Sequence, residues 1–323
     1  MRNQAELLLL DKNVVERLLT PDEVLAAVET AFDLHRRGAG RVFPVIREPL
    51  AGGGVFGIKA GDVPDEALLG FKAAGFWPAN RGLGGEPHQA TVMLVDPATG
   101  RPRCVIDGNA ITTMRTGAAG ALGLRALARP DSRRLCVFGT GVQAGVQLDF
   151  ALRLLPSIDS VVYLTATREP DPAFEARFGA RCAISAARDA DAAVAGSDIV
   201  ITATPGGGAL FGLEAVRPGT HLNAVGADTK GKRELPAGLL DRARLVVDDR
   251  AQARQIGEAQ WVPERECAEL GELLAAPGAF PRGADEITVF DMTGLALQDL
   301  TVARMLLERA EQARLGTRVA WPW

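Results

Sequence analysis

Arg134-Leu135-Cys136-Val137-Phe138-Gly139-Thr140-Gly141-Val142-Gln143-Ala144 decides the fold. The apolar run ending at Phe138 reads as a strand, and two glycines follow at once. Residues 145–155 then carry Val146, Phe150, Leu152 and Leu155 at helical spacing. Strand, glycine turn, helix is the order a dinucleotide-binding unit requires. Gly139 permits the turn, Gly141 lets the backbone approach a pyrophosphate, and Ala144 lets the helix pack on the strand. The backbone around Thr140, Val142 and Gln143 would then meet the anion at the helix start. The competing reading is a purely structural glycine turn.

Downstream, apolar strands alternate with helices. Strands are expected over 160–165, 198–204, 221–225, 244–247 and 287–290, with a helix over 189–195. That alternation implies a doubly wound parallel sheet covered on both faces. A final helix, from 297 to about 315, follows it. Upstream the texture changes. A short strand over 7–10 precedes a helix opened by Thr20-Pro21-Asp22-Glu23 and running to about residue 37. Strands are expected over 42–46, 55–59, 69–73 and 90–95. The turn Asp96-Pro97-Ala98-Thr99-Gly100 leads to a return strand over 103–106. A small-residue helix over 109–128 leads out of this region. The expected architecture is therefore α/β: a Rossmann-type domain over 118–302, and a smaller α+β substrate and dimerisation domain with an antiparallel sheet, formed by 1–117 and 303–323.

Composition excludes several functions. The formal net charge of −4 argues against a nucleic-acid partner. No apolar run reaches the roughly 18–20 residues of a membrane span, and the N-terminus does not read as a signal peptide. The 4 cysteines are scattered without C-x-x-C spacing, which suits a reducing, cytoplasmic compartment. With 3 histidines, a His-rich metal site is not expected. The Trp321-Pro322-Trp323 tail is expected to pack on the protein or on a subunit partner.

Candidate chemistry lies in four places. The end of the second nucleotide strand, Thr165-Ala166-Thr167-Arg168, lacks the acid that grips a ribose 2′-hydroxyl. Thr165, Thr167 and Arg168 suit a 2′-phosphate, which tilts the cofactor towards NADP; otherwise Arg168 is a solvated loop charge. Lys72 lies between apolar runs and Arg115 within a small-residue helix, and a buried cation needs a partner. Asp228 follows an apolar strand at the end that faces the ligand crevice of open α/β sheets. A surface charge, for either cation, and a helix cap, for Asp228, are the plainer alternatives.

Gly70-Phe71-Lys72, Met114-Arg115-Thr116, Gly139-x-Gly141, Asn223-Ala224-Val225-Gly226-Ala227-Asp228 and Gly231-Lys232-x-Glu234-Leu235 occur in this order and spacing. Together they resemble the ornithine cyclodeaminase/mu-crystallin family, over about residues 20–304. Phe43-Pro44-Val45-Ile46-Arg47-Glu48, Ile256-Gly257-Glu258 and Phe290-Asp291-x-Thr293-Gly294-x-Ala296-Leu297-Gln298-Asp299 look closest to its iminosuccinate reductase branch and the related reductase of ectoine breakdown. The resemblance implies that Arg47, Lys72 and Arg115 clamp a substrate carboxylate, with Lys72 and Asp228 in the catalytic centre and Asp228 as acid/base. It places the nicotinamide near Thr202, Thr204, Val225, Gly226 and Gly294. Lys59 and Arg81 suit a second carboxylate. The implied activity is NAD(P)H-dependent reduction of a small, iminosuccinate-like 2-imino acid, or the reverse dehydrogenation, by a homodimer. The alternatives are an ornithine cyclodeaminase and a non-catalytic NADP binder of the mu-crystallin kind.

Overall fold

The computed structural model describes residues 5–321. Two compact units emerge. Unit 1 is Met1–Arg115 with Leu295–Trp323, and unit 2 is Thr116–Gly294. The second crossing falls at Leu295, ahead of the 303 read from the sequence.

In chain order, β1 (Ala5–Leu10), α1 (Lys12–Leu18), α2 (Pro21–Arg36), β2 (Arg41–Val42), β3 (Ile46–Pro49), β4 (Val55–Val63), β5 (Leu68–Phe76), β6 (His88–Val95) and β7 (Pro102–Asp107) belong to unit 1. The helix α3 (Gly108–Leu127) runs from unit 1 into unit 2. Unit 2 continues with β8 (Arg134–Phe138), α4 (Val142–Leu154), β9 (Ser160–Leu164), α5 (Pro172–Phe178), β10 (Ala183–Ala186), α6 (Ala190–Ala195), β11 (Ile199–Thr202) and β12 (His221–Ala224). It ends with α7 (Leu239–Arg242), β13 (Arg244–Val247), α8 (Arg250–Ile256), β14 (Ala268–Glu269), α9 (Leu270–Ala275) and β15 (Thr288–Asp291). The chain returns to unit 1 as α10 (Ala296–Ala313) and β16 (Thr317–Trp321).

The sheet of unit 1 has the order β16-β1-β7-β6-β5-β4-β2, with β3 also on β4. It is antiparallel except where β1 lies parallel to β7. The single strand expected over 42–46 is split into β2 and β3. Pro44, which has no N–H to give a ladder, sits in the gap. One face of this sheet is covered by α10, and glycines set how close it comes. A Cβ on Gly70 would lie 2.9 Å from Leu300, and one on Gly61 3.5 Å from Ala296. The helix therefore lies nearly on the β4 and β5 backbone, with Leu297, Leu300 and Leu306 buried beneath it. The tail strand β16 pairs with β1, Trp321 opposite Ala5, and leaves Val319 and Trp321 exposed. Pro322 and Trp323 lie outside the described residues.

The sheet of unit 2 has the order β10-β9-β8-β11-β12-β15-β13-β14 and is parallel throughout. Its strands are buried on both faces, so they read as continuous apolar runs. Leu135 and Val137 join one core layer, with α4 residues Ala144 and Leu148. Cys136 and Phe138 join the other. Among the described residues no helix is long and apolar enough to cross a membrane.

Candidate active site

In unit 2 the carboxyl ends of β8, β9, β11, β12 and β15 share one edge of the parallel sheet, the edge at which open α/β sheets bind ligands. Gly139 has φ of +103°, and a Cβ there would sit 2.8 Å from the Ala203 carbonyl oxygen, so only glycine fits. Gly141 is different: its φ is −72°, and nothing lies within 4 Å of its would-be Cβ. The open side of Gly141 is space for a ligand backbone. It also N-caps the 13-residue α4 without a side-chain hydrogen bond, which leaves first-turn N–H groups for an anion. Thr140 and Gln143 are half-buried and Val142 exposed around this turn. The Gly139 N–H donates to the Leu164 carbonyl (2.9 Å), which sets the end of β9, with Thr165, Thr167 and Arg168 just beyond it, beside the turn.

Buried carboxylates brace the rest of this edge. Glu234, fully buried, accepts from the Thr204 N–H (2.7 Å), the Thr204 hydroxyl (2.6 Å) and the Gly226 N–H (2.8 Å). It thereby ties the loop after β11 to the loop after β12. Glu258 accepts from the N–H groups of Glu234 and Leu235, and burial pushes its carboxyl up to about 7 against those donors. Asp248 accepts from the N–H groups of Thr293 (2.8 Å) and Gly294, which fixes the loop after β15. Asp291 accepts from the Ala259 N–H, and burial drives its carboxyl well above the usual range. Sequence reasoning gave none of these acids a role. Asp248 and Asp291 do stand at the ends of the β13 and β15 runs, and Glu234, Glu258 and Asp291 stand within motifs quoted above, but nothing there assigned them a part. Thr202 is fully buried, and its hydroxyl has no hydrogen-bond partner among the described residues.

Asp228 lies in the loop after β12 and is half-buried. Its carboxylate accepts from the Lys232 ammonium (2.8 Å) and the Thr229 hydroxyl (3.1 Å). It caps none of the helices in unit 2, so the plainer alternative does not hold. Lys232 was visible in the sequence only as part of a motif.

In unit 1 the strand register gathers the cations. Arg47 pairs with Gly57, Gly57 with Ala74, and Lys59 with Lys72, which puts Arg47, Lys59 and Lys72 on one face of the sheet. Lys72 is 4% exposed and Arg115 7%. Both meet Asp299, which is 1% exposed: Lys72 Nζ lies 2.7 Å and Arg115 Nε 3.3 Å from its Oδ1. Gln298 accepts from Arg115 (3.2 Å). The sequence left the neutralisation of these cations to a bound acid; Asp299 of α10 already supplies part of it. Burial and the neighbouring Arg115 charge pull Lys72 down to about 7, against the attraction of Asp299. Burial alone would raise Asp299, but Lys72 and Arg115 outweigh it and hold the carboxyl below its ordinary value. His88 sits on the same face, opposite Phe76, and is lowered by burial and then by the Lys72 charge. Arg81 is exposed and stacks over the Phe76 ring.

The profile of the ornithine cyclodeaminase/mu-crystallin family matches residues 5–314. The iminosuccinate reductase of Paracoccus denitrificans is 33% identical, across 97% of this chain and 99% of its own length. An archaeal alanine dehydrogenase dimer with bound NAD superposes with a TM-score of 0.90 at 32% identity, over 98% of this chain and 100% of that one. The Δ1-pyrroline-2-carboxylate reductase of Thermococcus litoralis, solved with NADH and L-proline, gives a TM-score of 0.88 at 29% identity, over 97% and 100%.

Proposed function

Since the chain belongs to the ornithine cyclodeaminase/mu-crystallin family, we propose that it is an NAD(P)H-dependent reductase of a small 2-imino acid, running in reverse as an amino-acid dehydrogenase. The observation that carries this reading is the buried pair of cations, Lys72 and Arg115, held by one carboxylate, Asp299. Two cations against one acid leave a positive charge, and a carboxylate ligand balances it.

The residues fit a dinucleotide. Gly141 is open where a Cβ would sit, the first turn of α4 is uncapped by a side chain, and the buried Thr202 hydroxyl lacks a hydrogen-bond partner among the described residues. Thr140, Val142 and Gln143 would hold the pyrophosphate, and Thr202, Thr204, Val225, Gly226 and Gly294 the nicotinamide end. When bound, the cofactor supplies the hydride for the imine carbon.

Within this scheme the protein positions the substrate and handles one proton. Lys72, Arg115 and Arg47 hold the carboxylate, with the guanidiniums suited to two-point contact. Lys59, on the same face, suits a second acidic group of a dicarboxylic, iminosuccinate-like substrate. Asp228 serves as acid/base at the nitrogen, because an imine nitrogen must gain a proton to end as an amine. Lys232 holds that carboxylate in place and can replace its proton through one hydrogen bond. We further propose a cytoplasmic homodimer joined through unit 1, whose edge strand β16 exposes Val319 and Trp321.

The test is a turnover screen with NADH and NADPH against oxaloacetate, pyruvate and glyoxylate, each with ammonia, alongside ornithine with NAD. Oxidation of cofactor with an oxo acid plus ammonia supports the reductase. Proline formed from ornithine without net cofactor change would favour the cyclodeaminase. Tight cofactor binding with no turnover would favour a non-catalytic binder.

A further inference from the structure

We propose that unit 2 selects NADPH over NADH, with Arg168 and Thr167 donating to the 2′-phosphate and Thr165 shaping the turn that presents them. This rests on the reading that the Gly139–Ala144 turn holds a dinucleotide, and it departs from the alanine dehydrogenase and the Δ1-pyrroline-2-carboxylate reductase structures above, which hold NAD and NADH.

Position comes first. The Gly139 N–H bond to Leu164 fixes the end of β9 beside the first glycine of the turn. In NAD-binding sheets the residue at this strand end is an acid that grips the ribose 2′-hydroxyl. Here the chain continues Thr165-Ala166-Thr167-Arg168, without an acid. A neutral, hydroxyl-bearing strand end removes the carboxylate that would repel a phosphate.

Shape comes second. The Arg168 N–H donates to the Thr165 carbonyl (3.2 Å), and the Thr165 hydroxyl donates to the Glu169 carbonyl (2.8 Å). These bonds close a tight turn with Arg168 at φ of +62°, a left-handed conformation that non-glycine residues avoid. The Thr165 proton is used inside the turn and its oxygen lies 3.4 Å from the Thr167 hydroxyl, so the Arg168 guanidinium is the charged donor for a ligand and Thr167 a hydroxyl that can turn from Thr165 to it. Arg168 is half-buried at this turn, directly after the end of β9.

Two acids follow in sequence, and both are engaged. Asp171 accepts from the Phe174 N–H (3.1 Å) as the cap of α5 and bonds with Thr140. Glu169 is exposed and lies 4.0 Å from Arg188. Asp171, bonded to Thr140 of the glycine turn, is the alternative grip on a ribose hydroxyl that the experiment separates from Arg168.

The experiment is titration of NADPH and NADH into the full chain, followed by cofactor fluorescence, with no imino acid present. Wild type should bind NADPH about ten- to a hundred-fold more tightly, the range of one charge-assisted hydrogen bond. Arg168→Ala should remove that preference by weakening NADPH alone. Because alanine is strained at positive φ, Arg168→Asn, which tolerates it, is the second variant and should behave the same. Equal or tighter binding of NADH by wild type would overturn the proposal. So would equal weakening of both cofactors in Arg168→Asn, or a loss of NADH binding confined to Asp171→Asn. If neither cofactor binds wild type, the dinucleotide reading itself fails; binding of NADH alone leaves that reading standing and rejects only the selectivity.

Discussion

Asp299→Asn is the perturbation whose consequences run furthest. Asp299 lies 2.7 Å from Lys72 and 3.3 Å from Arg115, with all three groups buried. At an effective dielectric of about 20, the first contact alone is a gross attraction of about 6 kcal/mol. Lys72 stands at about 7 with that attraction in place. Removing it leaves burial and the Arg115 charge unopposed, so Lys72 falls further and loses the charged fraction, about half at pH 7, that it holds in wild type. A fully charged donor to the substrate carboxylate is worth about 1.5–3 kcal/mol, so KM should rise, by at most roughly 10- to 150-fold. Cofactor affinity, set in unit 2, should not change. Lowering the pH should restore part of the KM, because Lys72 regains its proton.

The same substitution moves the pH dependence of stability. The folded-state value for Lys72, about 7, lies below its ordinary 10.5. Between those values the unfolded chain holds the proton and the folded chain does not, so this group makes stability rise with pH across that window. In Asp299→Asn the rise should begin below pH 7. Breaking a buried pair costs about 3–5 kcal/mol, and deprotonation of Lys72 relieves part of it. Thermal unfolding from pH 6 to 9, with KM measured at each pH, is the assay. A KM within about threefold of wild type, with the rising limb unmoved, would refute the reasoning.

Gly141→Val should fold and melt like wild type, because its Cβ meets nothing within 4 Å, yet lose about 100-fold or more in NAD(P)H affinity; fluorescence titration beside calorimetry checks both halves. Glu234→Gln replaces a carboxylate that accepts from Thr204 and Gly226, so stability should fall by about 1–3 kcal/mol and kcat with it, as the Asp228 loop loosens; denaturant unfolding and kcat measured together test this. Asp228→Asn keeps the size but cannot exchange a proton, and kcat should drop about 10²–10⁴-fold with cofactor binding intact; near-native turnover would leave Asp228 without a part in proton transfer.

The glycine turn and the parallel sheet were legible because their signals are local: glycine spacing, apolar runs, helical periodicity. The cations were legible as anomalies, single charges in apolar or small-residue surroundings. Asp299 stood in the sequence only as an unassigned member of a motif, since its meaning depends on a contact with Lys72 across 227 positions. Glu234, Glu258 and Asp248 were hidden for the same reason: what they hold is backbone of other loops. The 7-residue helices α1 and α5 are too short for periodicity and depend on Asp11 and Asp171 as caps. The strand β16, Thr317–Trp321, was not legible as a strand in the sequence, because it shows itself only once β1 is there to pair with it.

The central claim is hydride transfer to the carbon of an imino acid. The direct measurement uses NAD(P)H carrying deuterium at both C4 positions, an oxo acid and ammonia, with the product read by mass spectrometry. The account predicts an amino acid carrying one deuterium on its α-carbon, formed far more slowly by Asp228→Asn. An unlabelled amino acid, or none from any oxo acid while the cofactor binds tightly, would contradict it.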